Sequence, residues 1–71
     1  MATIPDLKKL REKAFLTAPA VYKSAGINRS TLTRAEDGES IQHNTALKIL
    51  KALNDLHYKD NGALEPSLIR E

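Results

Sequence analysis

Apolar residues recur along this chain at helical rather than strand spacing. Leu7, Leu10 and Ala14 share one side of a helix and Lys8, Lys9, Glu12 and Lys13 the other, which predicts a first helix over about residues 4 to 14. Thr3-Ile4-Pro5-Asp6 has the shape of a capping box, with Pro tolerated in the first turn and Asp near the positive helix end. Thr17 as N-cap and Pro19 in the first turn open a second helix over about 18 to 25, whose Val21, Tyr22 and Ala25 form one face before Gly26 stops it. Ile27 is apolar and Asn28 is again an N-cap residue, so a third helix restarts at once, from about Arg29 to Glu36, and ends at Asp37-Gly38. Ile41 is expected to tuck inward from a loop over residues 39 to 43. Ala46, Ile49, Leu50 and Leu53 then mark a fourth helix over about 44 to 54, with Asn54-Asp55 as its end.

After that the pattern weakens. Leu56, Tyr58, Leu64, Leu68 and Ile69 are interrupted by a turn at Asp60-Asn61-Gly62 and a break at Pro66, which leaves open a short helix, a hairpin and a partly disordered arm. The expected organisation is a helical domain over 1–54 and a C-terminal tail over 55–71. Composition agrees with an all-α fold, a bundle of four or five helices: only 4% of residues are aromatic, so the core must come from Leu, Ile, Val and Ala. With no cysteine, neither a disulfide framework nor a thiolate metal site is available, which fits a reducing, cytoplasmic setting. No window approaches the roughly 20 apolar residues of a membrane span, so a soluble protein without membrane contact is expected.

Charge adds one asymmetry. Residues 1–54 carry nine Lys or Arg against five acids, whereas 55–71 carry two against four, so the excess of positive charge sits in the helical part. The tail is accordingly not expected to face nucleic acid.

The candidate chemistry lies in the third helix, which is polar apart from Leu32 and Ala35. At about 100° per residue those two point one way, and Ser30, Thr33 and Arg34 point the other, with Asp37 near the helix end. Two short helices joined by a Gly-containing turn, the second polar on its outer face, form the arrangement that lays a helix in a DNA major groove. Arg suits guanine O6 and N7, and Ser or Thr suit bases or phosphates. Asn28 and Arg29, at the helix start, can reach a base or a neighbouring phosphate.

The residues Leu7-Lys8-Lys9-Leu10-Arg11, Leu16-Thr17, Ala25-Gly26-Ile27-Asn28-Arg29-Ser30-Thr31-Leu32-Thr33-Arg34, Glu36-Asp37-Gly38, Ala46-Leu47-Lys48-Ile49 and Leu53 together resemble the Cro/phage-repressor (XRE-type) helix-turn-helix family over about residues 6 to 54. The resemblance implies a repressor-like fold and a regulator of bacterial, phage or plasmid type that reads bases with Arg29, Ser30, Thr33 and Arg34. It implies phosphate contacts at the helix starts, from Thr17 and Asn28 and from His43, Asn44 and Thr45. It also implies a structural pair between Arg11 and Glu36. Ala18 departs from the family's usual Gln, Tyr22 from its usual Ala and Ala35 from its usual large apolar residue. The last two changes are expected to offset each other in volume.

Other chemistry is disfavoured. His43 and His57 have no ligand partners at recognisable spacing, so no metal or other cofactor is expected, and no nucleophile elbow surrounds Ser24, Ser30, Ser40 or Ser67. The expectation is a non-enzymatic regulator of double-stranded DNA, acting as a homodimer on a palindromic operator. The alternative is an antitoxin-like protein-interaction module whose tail holds a protein partner. Dimer contacts are sought at Leu53, Leu56, Tyr58, Leu64, Leu68 and Ile69, so removal of 55–71 is expected to leave a folded monomer.

Overall fold

The computed structural model of the chain, describing residues 1–60 and 62–71, contains four α-helices among those residues: α1 (Leu7–Lys13), α2 (Ala18–Ala25), α3 (Arg29–Glu36) and α4 (His43–Leu56). Helix α1 begins later than the sequence pattern predicts. Thr3 is no N-cap: its amide donates to the Arg70 carbonyl at 2.6 Å and its carbonyl accepts from the Arg70 amide at 2.8 Å. Ala2 makes the same reciprocal pair with Ile41, at 2.6 and 2.7 Å, so residues 2 and 3 form a short extended stitch between the α3–α4 loop and the C-terminal segment. The chain then turns through Asp6, in left-handed conformation with no side-chain cap bond, before α1 starts. The anticipated capping box loses to a long-range pairing.

Three helices end in one hydrogen-bond pattern. At Gly26 and Gly38 the chain adopts positive φ (71° and 84°), and the paired bonds run from Gly26 to Lys23 and Ile27 to Tyr22, then from Gly38 to Ala35 and Glu39 to Arg34. This is the Schellman stop, which recovers carbonyls that the last helical turn leaves unpaired. Helix α1 ends identically, with Phe15 donating to Glu12 and Leu16 to Arg11, but the left-handed residue is Phe15, at φ 57° and 94% exposed. A side chain in this conformation costs about 1 kcal/mol relative to glycine, and exposure leaves Phe15 no packing to offset it. Phe15→Gly is therefore expected to stabilise the domain by about 1 kcal/mol, raising Tm by about 4 to 8 °C in a thermal melt. An unchanged or lower Tm would show that the aromatic ring makes contacts within the fold.

The core gathers one side of every helix. Leu7, Val21, Leu32, Ile49 and Leu53 are its largest fully buried side chains, each contributing roughly 1.5 to 3 kcal/mol by leaving water. Ala35 lies in this cluster, and half-buried Tyr22 packs against it. Helix α2 lies chiefly on α4, while α3 rests on α2 and α1. Helix α4 runs past the expected stop at Asn54 because that side chain is used elsewhere. Its Oδ1 accepts from the Leu64 amide at 2.7 Å and its Nδ2 donates to the Leu64 carbonyl at 3.0 Å.

The segment 55–71 is not a detached arm. It holds two 3₁₀ turns, Tyr58–Asp60 and Pro66–Leu68, and folds back over the bundle. The Tyr58 hydroxyl donates to the Leu10 carbonyl at 2.7 Å, and Tyr58, Leu64 and Ile69 pack against the core. Of the apolar residues considered for dimer contacts, Leu53 is fully buried and only Leu56 and Leu68 are exposed. In the turn expected at Asp60-Asn61-Gly62, Asn61 lies outside the described residues. Among the described residues no helix is long and apolar enough to cross a membrane.

Candidate nucleic-acid interface

Local signals position α3. Thr17 Oγ1 accepts the Ala20 amide at 3.3 Å to open α2, Gly26 closes it, and Ile27 and Asn28 are the only residues between that stop and α3. Asn28 occupies the N-cap position in extended conformation without a side-chain cap bond, so its amide remains available at the surface. Leu32 and Ala35, each 1% exposed, anchor the inner side of α3. Arg29, Ser30, Thr33 and Arg34 are exposed on the outside, as is Asp37 at the helix end. Eight residues make a helix about 12 Å long, close to the width of a DNA major groove.

The far end of α3 is locked. Arg11 Nε donates to both Glu36 carboxylate oxygens, at 3.0 and 3.2 Å, and its Nη1 donates to the Leu16 carbonyl at 3.0 Å. The two charged side chains are only 17% and 10% exposed. One guanidinium thus ties α1 to the α1–α2 joint and to the last residue of α3, fixing the angle at which α3 leaves the bundle.

The start of α4 adds a second polar surface. Thr31 and Arg34 of α3, Ser40, Ile41 and Gln42 of the loop, Thr45 of α4 and Met1 line a shallow concavity of about 330 Å³. Thr31, Ser40 and Gln42 are not among the contact residues that the sequence points to; the fold brings the loop beside Arg34. Helix α4 has neither a side-chain cap bond from Gln42 nor an acid in its first turn, so its first amides meet no local anion. Asn44 is exposed there, whereas His43 is engaged by a tail residue: its Nδ1 lies 2.6 Å from Glu71 Oε1. Sequence reasoning kept the tail away from this surface and missed that pairing.

This arrangement can hold anions at helix starts and present hydrogen-bonding groups from one projecting helix. Thr17, with its hydroxyl oxygen used as the α2 cap, has its hydroxyl hydrogen left to donate. Compared with protein-family models, curated proteins and solved structures, the chain matches none of them.

Proposed function

We propose that this protein is a sequence-specific regulator of double-stranded DNA, of the Cro/phage-repressor helix-turn-helix kind, that reads the major groove with α3. One observation carries the reading: α3 buries Leu32 and Ala35 and turns Arg29, Ser30, Thr33 and Arg34 outward, on a short helix set off from α2 by the Gly26 turn. Arg34 and the short hydroxyl side chains supply base-edge contacts, and the Thr17 hydroxyl at the start of α2 and the exposed residues at the start of α4 supply phosphate contacts. The longest dimension of the domain is 29 Å, less than the roughly 34 to 36 Å between successive major-groove faces, so one copy reads one half-site. Two copies, related by a two-fold axis, would read a palindrome, with Leu56 and Leu68 among the apolar side chains left to the surface for their contact.

Selection of bound duplexes from a random pool tests this directly, since a recovered palindrome gives both the site and the stoichiometry. On that site Arg34→Ala is expected to weaken binding by about 1 to 3 kcal/mol and to relax preference at one base pair, while the melting temperature stays near that of the parent. Unaltered affinity and preference would remove α3 as the reading helix. A second reading, a protein-interaction module, rests on Phe15: an almost fully exposed aromatic at a position where glycine would be more stable is a feature that a protein partner could explain.

A further inference from the structure

We propose that Glu71 gates the α4 end of this surface, its carboxylate standing where a DNA phosphate would stand. The inference rests on the DNA-binding reading and adds a regulatory contact to it. Helix α4 opens with no acid in its first turn and no side-chain cap, so its first amides, at a start where His43 and Asn44 are exposed, attract a negative group. The group the fold supplies is remote in sequence. Arg70 is fixed to Thr3 by two backbone bonds, and Ala2 is fixed to Ile41, two residues ahead of His43. That three-segment stitch delivers the next residue, Glu71, to His43, with Nδ1 and Oε1 2.6 Å apart.

The contact is built to be exchanged. The side chains of His43 and Glu71 are 49% and 61% exposed, and a polar contact so open to water is weakly held. The same helix start borders the concavity that Arg34 and Thr45 line, so Glu71 adds negative charge beside the place where phosphates would bind. DNA must displace the carboxylate or accept its repulsion. A change that moves the C-terminal segment away from the Thr3 stitch would uncover His43 and strengthen binding without touching α3.

The test uses the full chain and a mixed-sequence duplex of about 30 base pairs at about 50 mM salt, where phosphate contacts dominate affinity. Glu71→Gln is expected to bind about three- to tenfold more tightly than the parent, with the advantage shrinking as salt rises. Glu65→Gln makes the same change in net charge on the same segment, but the Glu65 carboxylate accepts from the neighbouring Ser67 hydroxyl, at 3.4 Å, and its expected gain is under about twofold. A purely structural pair would give the opposite sign, a lower melting temperature with equal or weaker binding. If the parent binds and Glu71→Gln binds no tighter than Glu65→Gln, the gate falls while the DNA reading stands. If parent and Glu71→Gln alike fail to bind duplex, the DNA reading falls and takes the gate with it.

Discussion

A chain ending at Asn54 is expected to lose its cooperative fold. Truncation removes the Tyr58 hydroxyl from the Leu10 carbonyl, both Leu64 bonds from the Asn54 amide and both backbone bonds between Arg70 and Thr3. It also strips Tyr58, Leu64 and Ile69 from the core surface. Each hydrogen bond is worth on the order of 1 kcal/mol, and the lost cover exposes apolar core surface along α1 and α4. A core of this size rarely supplies more than about 3 to 5 kcal/mol, so little folded population should remain. The sequence pattern, which treats 55–71 as separable, predicts a folded 1–54 domain instead. Far-UV circular dichroism melts of both chains decide between them: a cooperative transition for residues 1–54 within a few degrees of the full chain would show that the tail contacts contribute little.

That disagreement marks where sequence reading reaches and where it stops. The bounds of α2 and α3 follow from residues that act on their immediate neighbours: Thr17 caps α2 with its hydroxyl, Pro19 suits its first turn, Gly26 closes it in left-handed conformation, and Asn28 restarts the chain in extended conformation. The outward face of α3 follows from the same periodicity. Errors occur where a residue with a plausible local role has a stronger partner far away. Thr3 looks like a cap but pairs with Arg70, and Asn54 looks like a helix end but holds Leu64. Phe15 is a different case. The Schellman bonds at the end of α1 match those at Gly26 and Gly38, yet no propensity rule places an aromatic residue at the left-handed position. The concavity beside Arg34 and the pairing of Glu71 with His43 depend on both termini meeting the α3–α4 loop, a closure that no local pattern encodes.

Loss of the Arg11 guanidinium should be strongly damaging, though it lies outside the hydrophobic core. Arg11→Ala would leave the Glu36 carboxylate, 10% exposed, without its cation, and would free the Leu16 carbonyl at the point where α1 gives way to α2. An exposed ion pair contributes about 0 to 1 kcal/mol, while stripping one partner from a buried pair costs about 3 to 5. With 17% and 10% exposure the expected cost of Arg11→Ala is about 2 to 4 kcal/mol. Arg11→Lys should recover only part of it, because one ammonium cannot reproduce the planar fork that reaches both the Glu36 carboxylate and the Leu16 carbonyl. Glu36→Gln should cost less than Arg11→Ala, since its amide oxygen still accepts from Arg11, and the guanidinium it leaves without an anion is the more exposed of the two partners, at 17%. On the proposed DNA-binding reading, because the pair holds the last residue of α3, Arg11→Ala should also loosen the docking angle of that helix and broaden base preference, an effect distinct from the single-position loss expected of Arg34→Ala. Denaturant unfolding of Arg11→Ala, Glu36→Ala and the double variant measures the coupling. A coupling energy above about 1 kcal/mol is expected, and one within about 0.3 kcal/mol of zero would mean that α3 is oriented by its apolar contacts alone.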